Sequence, residues 1–499
     1  MFVLVPSPPL FPTGHRSVVR GPTPSGSADR VIGWNSGESS GQRGRRVGAD
    51  LRRELSGPFT FEAPTIDGGS VELHYRIGAD VAFTERVEFP FDLPDTAAVA
   101  RAVRVLHFVA GVSYYKCIAP AVLVMPGLTG AERRLVTALY DEGLREFSYR
   151  NGFAVPLPVE IVTPLDDLAD GPDLEDPPVV AWHGEGALVP IGGGKDSALV
   201  AALVPDGQLF AVNPVGAHVH LAKALGRPLL AVRRTLDPLL RELVAEGAPN
   251  GHVPVTAITS AIAVLTAVAV GRRDVLMGIE RSADEPSLVT SDGIAVNHQF
   301  SKSWAAELLL RDVFAPIGVQ YLSLLRPLTE LAIGAAVARR GLAGEIVSCN
   351  RVFTVWNENT SSKQQRPCGE CAKCLFTALM IAPSTTPLAI ATQYGRALLD
   401  EPDHVALVRE LWSDEKPFDC VGERLETAAA LVLLGRTDGW RDQAVVTALV
   451  GEAQALLDAA GVVAESFLEV GPVELLPMEY RGVVAALAPD LAAVVHATR

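Results

Sequence analysis

Lysine is scarce in this chain. Of 43 basic residues only seven are lysines: Lys116, Lys195, Lys223, Lys302, Lys363, Lys373 and Lys416. A lysine inside a glycine-rich turn is therefore hard to ascribe to composition. Positive charge as a whole is in deficit, with 58 acidic residues and a formal net charge of −15. That balance argues against a nucleic-acid sheath, while one local basic groove can still hold a small anion. Cysteine is sparse too: six in 499 residues do not make a disulfide scaffold. The opening residues, MFVLVPSPPLFP, lack the charged and apolar regions of a signal peptide, so a cytoplasmic location is expected. Long apolar runs are few. Residues 253–271 hold 19 positions without a charge, but proline, threonines and a serine interrupt them. A buried helix of an α/β core is the better reading, and no membrane association is expected.

What is present is a globular composition, 48% hydrophobic and 20% charged, long enough for two or three domains. Residues 1–58 are rich in Gly, Pro, Ser and Arg without apolar periodicity, and are expected to be a disordered tail. Residues 59–178 predict a small α+β N-terminal domain. Strands are expected over 70–77, 82–91 and 121–125, helices over 97–110 and 129–147, and an acidic linker over 165–178. A regular strand–helix alternation follows over 179–382. Strands are predicted at 187–191, 208–213, 228–233, 274–279 and 319–324, which favours an α/β doubly wound parallel sheet. Residues 383–499 read as a helical C-terminal region.

The strongest chemical signal is Gly192-Gly193-Gly194-Lys195-Asp196-Ser197, set between a strand and a helix. Glycines let the backbone approach a ligand, and the unpaired N–H groups of the helix start favour phosphate. Lys195 adds charge, Ser197 a hydroxyl, and Asp196 either holds Mg²⁺ or orders the turn. The G-x-x-x-x-G-K-[ST] loop fails because Asp196 follows Lys195, and the dinucleotide fingerprint fails because Ser197 stands where a third small residue is required. The stretch resembles the PP-loop of ATP pyrophosphatases, S-G-G-x-D-S, with Gly192 in place of the first serine. The plain alternative is a turn that only packs a helix on a sheet.

Cys368, Cys371 and Cys374 form C-x2-C-x2-C, with Cys349 upstream. Four thiolates can close a tetrahedral zinc site. An iron–sulfur cluster uses related spacing, and free thiols are the third reading.

Taken in order, further stretches make the chain similar to the UDP-N-acetylmuramoyl-L-alanyl-L-glutamate epimerase family. They are GVSYYK at 111–116, the turn at 191–197, NGHVPVTAI at 250–258, NHQFSKS at 297–303, SLLRPL at 323–328, SCNR at 348–351, the cysteines at 368–374, and KPFDCVGE at 416–423. The resemblance covers about residues 59–435. It implies a PP-loop fold, ATP and Mg²⁺ as cofactors, and a small-molecule substrate, the UDP-linked muramoyl dipeptide, whose terminal L-glutamate becomes D-glutamate. A peptide-bonded amine cannot form a Schiff base, so adenylation of the carboxylate would acidify the α-proton, with AMP and pyrophosphate released. Inversion needs a proton acceptor and a donor, or one mobile group. His298 and Lys302 head the candidates, with Lys195 and Asp196 serving the ATP chemistry. His252, Lys116, Tyr115 and Cys420 follow, each with an ordinary structural role as its alternative. Arg281 and Arg326 are candidates for phosphate or carboxylate binding, or are ion-pair partners. Two other classes compete with the epimerase: a synthase of the 7-cyano-7-deazaguanine type, and a non-enzymatic nucleotide-binding regulator.

Overall fold

The computed structural model describes residues 53, 56–164, 173–179, 184–352, 366–413, 416–419 and 421–498. Cys420, most of the expected tail and most of the acidic linker lie outside the described residues. Packing begins ahead of Phe59: Arg53 is buried and donates to the carbonyls of Ala119 and Pro158.

Ten strands make one sheet. They are β1 (Phe59–Asp67), β2 (Ser70–Ile77), β3 (Val81–Glu88), β4 (Val122–Val124), β5 (Glu160–Val162), β6 (Ala187–Pro190), β7 (Gln208–Val212), β8 (Leu229–Thr235), β9 (Asp274–Met277) and β10 (Gln320–Ser323). Their order is β10-β9-β6-β7-β8-β3-β2-β1-β4-β5. The first five in that order run parallel, as the strand–helix alternation predicts. β1, β2 and β3 form an antiparallel meander, and β4 and β5 run parallel to β1. The two halves join where β8 pairs antiparallel with β3, Arg234 opposite Val87. The boundary expected at 178 thus separates two halves of a single sheet.

Local sequence explains the meander. Alternation along β2 buries Val71, Leu73, Tyr75 and Ile77 and leaves the residues between half-buried. The β1–β2 ladder shifts register between Glu62 and Thr65, where Pro64 has no N–H to donate. Helix α1 (Ala97–Ala110) starts at Thr96, whose hydroxyl accepts from the Val99 N–H at 3.3 Å. The run Ala97–Tyr115 is long and apolar enough to cross a membrane by length and composition, yet 72% of it is buried inside the fold. The helix expected over 129–147 is broken. α2 spans Gly130–Tyr140, a 3₁₀ turn follows at Glu142–Leu144, and a new helix starts at Arg145. Gly143 sits at the break, where a Cβ would meet Pro254 at 3.2 Å.

In the parallel half the strand order read in chain sequence is 3-2-1-4-5, with reversal between β6 and β9. Sheets of this kind bind ligands at the carboxyl ends of the strands beside that reversal. Helices α3 (Lys195–Leu203), α4 (Val255–Ala269), α5 (Trp304–Phe314) and α6 (Glu330–Arg339) cover the faces. The uncharged run at 253–271 is α4, buried along most of its length under both halves. Beyond Ser384 the described residues form only helices and turns.

Candidate functional site

The glycine turn lies at the reversal point. It follows β6, and Gly278 follows β9 directly alongside, its α-carbon facing the Asp196 backbone. Gly193 has φ +75°, a left-handed conformation that favours glycine. The Gly192 N–H donates to Ser197 Oγ at 3.0 Å, and Ser197 Oγ donates to the Gly194 carbonyl at 3.2 Å. The turn is therefore self-braced, with Gly194 as the N-cap of α3. A cavity of about 370 Å³ opens above it, lined among others by Gly192, Asp196, Ser197, Gly278, Lys302 and Lys373. Its size suits a small organic ligand.

Lys195 does not line this cavity. It lies beneath the turn, 1% exposed, paired with Asp196 and with Glu330 at the start of α6. Burial lowers the Lys195 pKa, against the opposing pull of Asp196. For Asp196, burial works against the charge, but Lys195 and Lys373 outweigh it and hold the carboxyl below its ordinary range. Glu280 and Glu330 place carboxylate oxygens within 4.8 Å of one from Asp196, a spacing that can hold a cation. Neither glutamate carries a local sequence signal.

The four cysteines converge. Their sulfurs lie within 4.8 Å of one another, with Cys368 Sγ and Cys374 Sγ 3.8 Å apart. Tetrahedral zinc with Zn–S near 2.3 Å requires sulfurs roughly 3.8 Å apart. The Cys368 and Glu370 N–H groups point at Cys349 Sγ and Cys368 Sγ, at 3.5 and 3.4 Å, as donors that suit thiolates. The donor set fits zinc. Its position also matters: the Val347 N–H donates to the Gly193 carbonyl at 2.8 Å, and a Cβ on Gly194 would meet Ser348 Oγ at 2.8 Å. The segment leading into Cys349 thus lies directly on the glycine turn.

A second cluster adjoins the cavity. His298 Nδ1 hydrogen-bonds Glu146 Oε2, and the His252 ring packs on His298 with centroids 4.1 Å apart. Burial, then the charges of Lys302 and Lys116 with His298, push His252 well below the usual histidine range. It is therefore neutral. Lys116 is buried and donates to Asn250 Oδ1 at 2.6 Å, which anchors the 250–252 loop. Burial lowers the Lys116 pKa as well. Lys302 joins the two regions: it lines the cavity, and its charge acts on Asp196 on one side and His252 on the other.

Other candidates fall elsewhere. Tyr114 and Tyr115 are core residues; Tyr115 Oη donates to the Pro120 carbonyl at 2.8 Å. Arg326 is buried against Glu307, with Nε to Oε2 at 2.6 Å, and supports the 280 and 302 segments through their carbonyls. Arg281 stands 4.0 Å from Glu423, half exposed and outside the cavity lining. The 416–423 stretch straps the site. Lys416 Nζ reaches Glu285 at 2.5 Å, Phe418 packs near His298, Asp419 accepts from Asn350, and the Val421 carbonyl accepts from Gln299 at 3.0 Å. Glu146 is the residue sequence reasoning missed; it sits 152 positions from its partner, with no motif around it.

The sequence matches the MurL N-terminal domain profile over residues 52–324 and the MurL C-terminal domain profile over residues 345–463. Three relatives carry the name UDP-N-acetyl-alpha-D-muramoyl-L-alanyl-L-glutamate epimerase. The Salinispora tropica protein is 40% identical over 414 residues, 79% of this chain and 88% of that protein. The Micromonospora protein is 38% identical over 442 residues, 84% and 96% of the two chains. The Xanthomonas oryzae pv. oryzae protein is 36% identical over 406 residues, 79% and 86% of the two chains. No solved structure matches. A profile match over more than half of the chain, and relatives aligned along nearly their whole length, place this chain in the MurL epimerase family.

Proposed function

We propose that this protein inverts the terminal L-glutamate of UDP-MurNAc-L-Ala-L-Glu in an ATP-dependent reaction of peptidoglycan precursor synthesis, through adenylation of the glutamate carboxylate. One observation carries the reading: Lys302 lines the cavity over a phosphate-type turn, and the same 297–303 segment carries His298 of the buried Glu146–His298–His252 cluster. A mere nucleotide-binding regulator has no use for that second cluster. The names of the relatives supply the substrate.

The glutamate α-carbon bears a proton beside a carboxylate, and removing it would create adjacent negative charges. ATP, when bound, supplies the adenylyl group that cancels the carboxylate charge and acidifies that proton. The residues of this chain do the rest. The N–H groups of 193–197, at the turn and the α3 terminus, would cradle phosphate oxygens. Asp196, with Glu280 and Glu330 close by, would hold Mg²⁺. Lys195 neutralises that carboxylate group from below. Lys302 and Lys373 supply positive charge at the cavity wall, although the chain as a whole is acidic. Cys349, Cys368, Cys371 and Cys374 would hold zinc, and the Val347 N–H bond to the Gly193 carbonyl keeps the segment leading into Cys349 on the turn.

Incubation with ATP, Mg²⁺ and UDP-MurNAc-L-Ala-L-Glu is expected to release AMP and pyrophosphate and to yield D-glutamate after acid hydrolysis. In D₂O the product should carry deuterium at the glutamate α-carbon. A product without solvent deuterium there rejects the mechanism. Turnover that depends on added ammonia points instead to an amide- or nitrile-forming synthase.

A further inference from the structure

Glu146, His252 and His298 are metal-ligating side chains gathered from three separate stretches of chain. Glu146 lies on the short helix Arg145–Asn151, His252 in the loop ahead of α4, and His298 in the loop ahead of α5. One donor atom from each lies within 4.8 Å of the other two. Nitrogen and oxygen donors at about 2.1 Å from one ion stand roughly 3.0–3.4 Å apart, so the three are near coordination spacing. The set is interior: Glu146 is 2% exposed and His298 9%. Contacts outside the donors hold each of them in place. Arg150 Nη1 reaches Glu146 Oε1 at 3.3 Å, while Oε2 of the same carboxylate faces His298 Nδ1. Asn151 Nδ2, at the end of that helix, donates to the Asn250 carbonyl at 3.1 Å, and Lys116 Nζ donates to Asn250 Oδ1 at 2.6 Å. These bonds fix the loop of His252 against the helix of Glu146. The His298 N–H donates to Ser287 Oγ at 3.3 Å, and the His252 ring packs on the His298 ring with centroids 4.1 Å apart.

Two imidazoles and one carboxylate suit zinc or ferrous iron, whereas Mg²⁺ and Ca²⁺ take oxygen donors. We propose that Glu146, His252 and His298 bind one divalent transition-metal ion of the zinc or ferrous class. The site is separate from the four cysteines and from the oxygen-only group of Asp196, Glu280 and Glu330. The Glu146–His298 hydrogen bond keeps two of the donors together until the ion enters, and coordination takes its place. Three protein donors leave part of the shell to water or to a ligand oxygen. The ion joins the Glu146 helix, the 250–252 loop and the 297–303 segment, whose Lys302 lines the cavity.

The test adds Co²⁺ to the full chain in excess Mg²⁺, which fills oxygen-only sites. Metal content and the absorption spectrum are read after gel filtration. Cobalt on the cysteines shows sulfur-to-metal charge transfer; cobalt on nitrogen and oxygen shows only weak d–d bands. The native chain should keep one cobalt per chain of the second kind, and added Zn²⁺ should displace it. His252→Asn and Glu146→Gln should each weaken that ion by about 10- to 100-fold or more, with any sulfur-bound cobalt unchanged. Where His252→Asn does not fold, Glu146→Gln decides alone. Cobalt found only on sulfur, or not at all, overturns the proposal. So does a nitrogen-and-oxygen cobalt that both variants hold as tightly as the native chain, which is an adventitious ion only. The reaction proposed above is decided separately, by whether the native chain turns over with ATP.

Discussion

Arg234 holds Glu85 in a two-point ion pair, Nε to Oε1 at 2.7 Å and Nη2 to Oε2 at 2.9 Å, where the parallel half of the sheet meets the antiparallel half. Glu85 is fully buried, and Ser113 Oγ accepts a further bond from Arg234 Nη2 at 2.9 Å. Burial opposes the Arg234 charge, and Glu85 more than offsets it. Glu85→Ala should cost about 3–5 kcal/mol, because it strands a buried cation. Urea unfolding checks this. The double change Glu85→Leu with Arg234→Met should cost far less than the sum of the single changes.

Gly192 in the glycine turn and Gly278 beside it should behave oppositely. A Cβ on Gly192 meets nothing within 4 Å, so Gly192→Ser, which restores the wider PP-loop pattern, should leave pyrophosphate release within about twofold of native. A Cβ on Gly278 would stand 2.9 Å from the Asp196 carbonyl carbon and 3.0 Å from its oxygen. Gly278→Ala must shift the turn, and should cut turnover by about 10²-fold. Steady-state assays of both variants decide the matter.

The cysteine set should bind about one zinc per chain, measured by native mass spectrometry. Cys371→Ser should lose the ion and lower the melting temperature by roughly 2–4 °C, corresponding to about 3 kcal/mol. Because Val347 bonds to Gly193, the stabilisation conferred by ATP should fall in the same variant. A metal-free native chain, or an ATP shift unchanged in the variant, would contradict the coupling.

Acid should weaken the fold before carboxylates titrate. Burial lowers both His107 and His218 to about 4. Unfolded histidine titrates near 6.5, so the unfolded chain takes up these protons first. Their contribution is whole above that value and is lost as the pH falls from about 6.5 to about 4, at most about 3 kcal/mol each. Urea midpoints at pH 7.5 and pH 5 should show the drop. His107→Gln should flatten it, since glutamine does not titrate.

Much of the parallel half is legible because its signals are local. Strand, glycine turn and helix follow one another within seventeen residues from Ala187 to Leu203, so phosphate-type geometry can be read without knowing any partner. The C-x2-C-x2-C spacing is equally short. The helix break at Asp141 is not legible, and the residues packed against Gly143 beside it, Pro254 and Phe300, lie over a hundred positions away.

By itself the sequence determined the strand–helix alternation, the glycine turn between strand and helix, the clustering of three cysteines in seven residues and the buried character of the 253–271 run. These follow from backbone freedom, periodicity and residue spacing, which act over one or two elements. Only the tertiary structure decided that two predicted domains share one sheet, since the β8–β3 pairing is set by what each edge finds in space. It alone put Lys195 under the turn against Glu330, and Glu146 on His298. Those contacts join residues far apart in the chain. A buried charge takes whatever opposite charge the packed fold brings near, and no local pattern carries that information.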